Sequence, residues 1–302
     1  MIGGARLQSI LMLAALAGVA CSKSGPSAPP AGYVKIDDME GDSGGIIEWT
    51  PPSGALPGVW FTATDCTEYD RISPPPSQLA PGEWSYAELP EAYQTFPGVL
   101  STHAARVRTT TPLGGVWGGN MGFDLATPPD ADGERPAPVS AVPDGGAPGP
   151  GQPCRQPTTQ DYPAVATDLS AYSGVTFWAM AAGGQQNMRV EITDVNVDPR
   201  GGICNAADRT DESNCYNGFR TTLTLTNTMT RYTVDFSALQ QDPTWGYRPS
   251  PDIPDLQHVY QFVFEADQAF CLNAGSTSMC AGGGPPPLSF DLWVDDLYFV
   301  AK

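Results

Sequence analysis

Residues 289–300 read SFDLWVDDLYFV. Apolar residues recur at every second position from Phe290 to Val294 and again at Leu297 and Phe299, with Asp295 and Asp296 between the two runs. A period of two marks a strand with one face turned to a core. The same pattern runs through VKIDDM (34–39), VWFTAT (59–64), HAARVRT (103–109), VTFWAMA (175–181), MRVEIT (188–193), RTTLTL (220–225), RYTVDF (231–236) and VYQFVFEA (259–266). Each run is bounded by Gly, Pro, Asn or Asp, and almost nothing has the period of a helix longer than two turns. With 31 prolines and 33 glycines in 302 residues, the connections absorb much of the chain. The expectation is an all-β fold, a two-sheet antiparallel β-sandwich.

Two flanking segments fall outside that pattern. Arg6 precedes an apolar run over 10–19 that closes on Gly18-Val19-Ala20-Cys21. Such a run is short for a membrane span and has the form of an export leader. Its end resembles the lipobox of bacterial lipoproteins, which implies cleavage before Cys21 and acylation of its thiol. Gly18 stands where that class usually has Leu, so secretion without lipid is the alternative. Residues 22–32 are rich in Ser, Gly, Pro and Ala and read as a flexible tether, with the folded part, 33–302, starting near Tyr33. Residues 126–159 are too rich in proline for a central strand and are expected to form a long surface loop.

Removing Cys21 from the seven cysteines leaves an even set. In an exported chain these read as disulfides. Cys204 with Cys215 and Cys271 with Cys280 each flank a short polar loop, and local pairing leaves Cys66 with Cys154. Zinc is disfavoured, because the chain has no C-x-x-C and only His103 and His258. The formal charge of −18 with 15 Lys plus Arg excludes an electrostatic footprint for nucleic acid or anionic lipid. Any membrane contact is expected through the lipid anchor alone.

The strongest pairing of motifs is IDDMEGD, carrying Asp37, Asp38, Glu40 and Asp42, with WVDDLYF, carrying Asp295 and Asp296. If the first and last strands lie side by side, these acids meet and repel unless a cation bridges them. Ile36-Asp37-Asp38-Met39-Glu40 and Val294-Asp295-Asp296-Leu297 resemble the opening and closing strands of jelly-roll carbohydrate-binding modules, especially family 11 and the wider galactose-binding-like group. GVWFTATD (58–65), WGGNMGFDL (117–125), DLSAYSGVTFWA (168–179) and YTVDFSALQQDPTWG (232–246) are similar to exported lipoproteins of that type. The resemblance implies a jelly roll with structural Ca2+ between first and last strands, held by Glu40 and one or both of Asp295 and Asp296, with Asp38 a weaker candidate ligand.

Other motifs are weighed against blander readings. DVNVDPRGG from Asp194 has the D-x-N-x-D spacing of a calcium loop, but Pro199 stands where the turn needs Gly; an Asx-rich turn is the simpler reading. GDSGG around Ser43 looks like a serine-protease motif, yet neither His has the setting of a general base, and a glycine-rich turn accounts for it. Glu48, Glu191 and Glu265 are available as a glycosidase pair, which sequence alone cannot assign. Aromatic rings suit the apolar faces of sugars. Trp178 and Trp293 sit within strands and are expected to be packed, whereas Trp84, Tyr86, Trp117, Trp245 and Tyr247 lie in or beside Gly/Pro-rich segments and are the candidates for a binding face. The expected function is non-catalytic binding of a polysaccharide or glycan by a lipid-anchored protein of the bacterial cell envelope. The alternatives are a structural or adhesive lipoprotein with a protein partner, and a glycoside hydrolase.

Overall fold

The computed structural model describes residues 29–41, 43–64, 71–74, 84–96, 99–113, 119–130, 132, 134, 164–184, 186–205, 214–244, 246–266 and 289–302. Their elements are β1 (Tyr33–Asp37), β2 (Leu56–Pro57), β3 (Trp60–Thr64), β4 (Ile72–Ser73), β5 (Ala87–Phe96), β6 (Val99–Thr109), β7 (Gly119–Asp124), β8 (Ala126–Thr127), β9 (Tyr172–Ala181), β10 (Gln186–Asp194), β11 (Phe219–Leu225), β12 (Thr230–Asp235), β13 (Val259–Ala266) and β14 (Asp291–Ala301).

Two antiparallel sheets face each other. The seven-stranded sheet has the order β12-β9-β14-β6-β4, with β1 added to β14 and β5 added to β6. The five-stranded sheet has the order β11-β10-β13-β7-β3, and β2 pairs with β8 outside both. Apart from the β10–β11 hairpin, the chain from β9 onward changes sheet at every connection, which makes the sandwich a jelly roll. All nine runs read as strands from their alternation are strands.

The core is built by one side of each strand. Across the five-stranded sheet, Trp60, Phe123, Phe262, Ile192 and Phe219 stand in register and point inward. From the opposite sheet, Phe177 meets Phe264 edge-on at 5.2 Å between ring centroids, and Phe299 lies 6.0 Å from Phe262. Each such ring buries a large apolar area, so truncating one costs about 3–5 kcal/mol.

Three strand segments depart from the sequence reading. The expected loop at 126–159 begins too early, because Ala126 and Thr127 form β8 and are buried against β2. β5 contains Pro90, which cannot donate to a ladder; its pairing with β6 skips from Glu88 to Tyr93, so the proline sits in a bulge. β7 contains Gly122 in mid-strand. A Cβ there would come within 2.4 Å of the Phe262 carbonyl oxygen and 2.8 Å of the Phe61 ring.

Candidate functional site

The two acidic clusters do meet, and the topology shows why. β14 pairs with β9 along one side. Along the other it pairs first with β6, from Asp291 to Val294, and then with β1, from Leu297 to Val300. Asp295 and Asp296 fall at the seam where β6 gives way to β1. The backbone takes left-handed φ values there, 47° at Asp296 and 55° at Met39, so both chains bend at the seam.

Each seam carboxylate has its own set of donors. Glu40 Oε1 accepts from the backbone N–H groups of Thr102 (2.6 Å) and His103 (2.9 Å) and from Ser101 Oγ (3.0 Å), and Oε2 accepts from Thr102 Oγ1 (2.6 Å). Burial opposes its ionisation, but these donors hold Glu40 below the usual range. Asp295 Oδ2 accepts from Tyr93 Oη at 2.6 Å and from Ser101 Oγ. Burial and the neighbouring Asp296 push Asp295 well up. Asp296 accepts from Tyr298 Oη through Oδ1 (3.1 Å), while its buried Oδ2 makes no hydrogen bond within 3.5 Å among the described residues, the Thr95 hydroxyl lying near enough to favour the ionised carboxylate. Burial raises Asp296 to about 6.

A second acidic group lies beside the first. Oxygens of Asp37, Asp38 and Glu48 fall within 4.8 Å of one another, the only such trio among the described residues. Lys35 Nζ already serves it, donating to Asp38 at 2.8 Å and to Glu48. Asp37 is taken by Trp60 Nε1 (2.8 Å) and Tyr86 Oη (2.7 Å), with burial raising it to about 6. At the seam Asp296 Oδ2 makes no hydrogen bond and Glu40 Oε2 carries a single one, but among the described residues no three of Asp38, Glu40, Asp295 and Asp296 bring ligand oxygens within 4.8 Å of one another, so the expected Ca2+ set is not assembled in this geometry.

The outer face of the five-stranded sheet carries a different constellation. Strand positions that alternate with the core rows bring Asn120, Glu265, Arg189 and Thr222 into one row, and Phe61, Gly122, Val263, Glu191 and Arg220 into the next. A third row holds Asp124, Gln261 and Thr193. Arg200, in the short turn after β10, donates to Asp124 Oδ1 at 2.9 Å and grips Asp198 with two bonds of 2.8 Å. Arg220 donates to Asp242 Oδ2 at 2.9 Å and lies 3.7 Å from Glu191, and Arg189 donates to Glu265 Oε1 at 3.2 Å. Burial raises both Asp124 and Glu191 in spite of these arginines. The buried Oδ1 of Asn120 has no hydrogen-bond partner among the described residues.

Two tyrosines flank the Arg200 end of this face. Thr193 opposes Gln261 but Asp194 opposes Val259, so Tyr260 is the extra residue of a bulge, which re-aims it beneath the Arg200 guanidinium, 5.1 Å away. Tyr216 is 38% exposed, at a φ of 73° that a bulky residue seldom adopts. It follows Cys215, which is disulfide-bonded to Cys204, and its N–H donates to the Val197 carbonyl at 2.8 Å. Burial and the Asp198 charge raise the hydroxyls of both tyrosines.

The structure corrects part of the aromatic reading. Trp84 is only 3% exposed and stacks on Trp60 at 5.6 Å, so it is a core residue and offers no ring to a ligand. Tyr86 is packed against the core with its hydroxyl committed to Asp37. Tyr247 is half-buried, its N–H on Asn214 and its carbonyl bound by Gln241. Trp117 and Trp245, Cys21, and the Cys66–Cys154 and Cys271–Cys280 pairs lie outside the described residues; Cys204–Cys215 is formed. Trp293 is packed as expected, and Trp178 is partly covered, against Tyr93 at 5.3 Å.

The other motifs resolve simply. In the Asp194 loop, Asp194 accepts from the N–H groups of Asn196 and Asp255, and Asp198 is bound by Arg200, which is the Asx-turn reading with a guanidinium in place of a metal. Ser43 Oγ lies 3.2 Å from Tyr86 Oη, while His103 sits with Thr102 and His258 with Asp255. Gly45, in the same turn, has a φ of 81°, and a Cβ there would fall 2.3 Å from Trp84 Cβ. Sequence reasoning missed Arg200 and Tyr216. The signal for Arg200 was its place two residues after Asp198.

No protein-family model matches the chain, and no curated protein matches it. Among solved structures it is similar to the family 11 carbohydrate-binding module of a cellulosomal cellulase of Clostridium thermocellum, at 11% identity and a TM-score of 0.38 over 91% of this chain and 97% of the module. The same organism's module in complex with a β-1,3-1,4-mixed-linked tetrasaccharide gives 13% identity and 0.39, over 91% and 98%. An exo-β-agarase gives 10% and 0.38, over 90% of this chain and 25% of the agarase. At these values the likeness bears on neither ligand nor mechanism.

Proposed function

We propose that this protein binds a polysaccharide or glycan, without cleaving it, on the outer face of its five-stranded sheet. The observation that carries this reading is the exposed ring of Tyr216, set at the Arg200 end of a face whose carboxylates and guanidiniums, themselves buried, are held in place by mutual bonds. Fixed polar groups beside an aromatic surface are what sugar recognition needs, because hydroxyls require directed partners and C–H faces require a ring. The left-handed backbone at Tyr216 is a conformational cost of the kind that collects at binding sites. Glu191 and Glu265 lie on adjacent strands of this face, but each is engaged by arginine, which favours a binding role over an acid–base pair.

Export and a lipid anchor at Cys21 belong to the same reading, supported by the leader and by the Cys204–Cys215 disulfide, which suits an oxidising compartment. The place of action is then the bacterial cell envelope. Ca2+ at the seam is what the resemblance implies; Asp296, Glu40, Asp38 and Asp295 would have to draw together to hold it, and the ion would neutralise their charges.

Affinity electrophoresis of the exported protein through gels containing single polysaccharides tests the binding. Retardation that is lost in Tyr216→Ala with an unchanged melting temperature supports it; equal mobility in every gel refutes it. Mass spectrometry of the amino-terminal peptide reads acylation at Cys21. A melting temperature that drops on chelation and recovers with Ca2+, in the native protein but not in Asp296→Asn, reads the ion.

A further inference from the structure

We infer that the end of the sandwich where the chain enters at Tyr33 rests on a lipid bilayer, with Leu100, Ile203 and Ile253 dipping into its surface. This rests on the proposed acylation of Cys21 and specifies how the anchored body stands on its membrane.

Strand directions fix which loops share an end. β14 finishes where β1 and β9 start, because both run antiparallel to it. In the other sheet β10 finishes where β11 and β13 start. Backbone bonds join these two ends into one: Ala301 donates to the Gly32 carbonyl at 2.9 Å, Lys302 to that of Ala171 at 3.2 Å, and Leu169 to that of Leu256 at 2.7 Å. Ile253 precedes Leu256 in that loop. The loop that carries Ile203 joins the same group through the bond from Val195 to the His258 carbonyl at 2.9 Å. Leu100, near the start of β6, pairs with Gln94, close to Phe96, whose ring lies 5.9 Å from that of Tyr33.

Leu100 and Ile253 are each 61% exposed, and Ile203 is 49% exposed. With Tyr216, which the proposed glycan face uses, they are the exposed large apolar residues among the described residues, and all lie at this end. The described turns at the far end, 182–184 and 226–229, carry none. The tether over 22–32 reaches the fold at the same place. As a coil it spans about 18 Å, whereas the 11 residues of β14 span about 35 Å. An anchor at Cys21 therefore holds the Tyr33 end near the membrane and the far end away from it. Aliphatic side chains leave water favourably for acyl chains and need no polar partner there. Charge does not supply the contact, because Arg248 is held by Asp252, Lys302 Nζ donates to the Ser170 carbonyl, and the chain carries a formal charge of −18. The docking is apolar, so zwitterionic lipid suffices and salt leaves it unchanged.

The anchored protein on phosphatidylcholine vesicles and the exported Cys21→Ser protein in solution are oxidised by hydroxyl radicals and read residue by residue by mass spectrometry. The expected result is oxidation of Leu100, Ile203 and Ile253 lower on vesicles by about threefold or more, at low and high salt alike, with Met229 at the far end unchanged. A variant carrying Leu100→Ser, Ile203→Ser and Ile253→Ser, still acylated and with an unchanged melting temperature, is expected to lose protection over 246–258 and to keep its retention on polysaccharide. Protection that persists in this variant comes from the tether alone and overturns the inference. Equal oxidation on vesicles and in solution overturns it too, and leaves the anchor standing when the intact mass shows acyl chains. A mass without them removes the anchor and this inference together. Protection on whole envelopes but not on phosphatidylcholine makes the cover a protein and overturns the membrane assignment.

Discussion

The two outer faces of the sandwich are built by strands of the same alternation and end up opposite in character. On the seven-stranded sheet the outward residues include Trp293, Met180 and Ala104, and β5 folds over them with Leu89 to close a second small core. Arg106 lies 4.2 Å above the Trp293 ring and pairs with Asp291, while Arg231 covers Tyr33 and Phe96. On the five-stranded sheet the outward residues include the ion pairs Arg189–Glu265 and Arg200–Asp124. One face has been spent on packing. The other keeps oriented polar groups at a cost in desolvation.

If the apolar outer face is a true core, Trp293→Ala and the inter-sheet Trp84→Ala cost alike, about 3–5 kcal/mol in urea unfolding. A much smaller loss for Trp293 breaks the comparison. On the polar face, Arg200→Ala leaves Asp124 and Asp198 buried without their cation and costs about 3–5 kcal/mol by the same measurement. Arg106→Ala, on a partly exposed pair, costs about 1 kcal/mol. Equal values would mean that the faces do not differ in desolvation.

The seam supplies a pH test. Asp37 and Asp296 hold protons up to about 6 in the fold, whereas their ordinary value is 3.8. Between those values the native state binds more protons than the unfolded chain, so their contribution to stability falls as pH rises from about 4 through 6 and stays low above it. Each group accounts for about 3 kcal/mol. Melting in chelator should show that decline, and Ca2+ should flatten it. The smallest expected effect is at the rim: Tyr216→Gly relieves the left-handed backbone and raises stability by about 1 kcal/mol while abolishing retention on polysaccharide. Retention that survives this change removes Tyr216 from the site.

Fold was more legible than site. Nine strands were visible because hydrophobic alternation is a local property, and the meeting of the two acidic clusters followed from placing first and last strands together. Trp84 was misread because its Gly/Pro-rich neighbourhood says loop, whereas its depth depends on Gly45 making room for it. β9 reads as apolar on both sides, so its sequence could not say which side faced the other sheet. The polar face depends on cross-strand register and on a turn that returns Arg200 to β7, neither of which a single strand encodes.

β14 has one further consequence. It is the shared neighbour of β1, β6 and β9, which come from far apart in the chain. Until it docks, three strands present open hydrogen-bonding edges. A clip or frameshift that removes this one segment would therefore turn interior strands into templates for intermolecular pairing, and the damaged protein would be expected to aggregate rather than simply lose affinity.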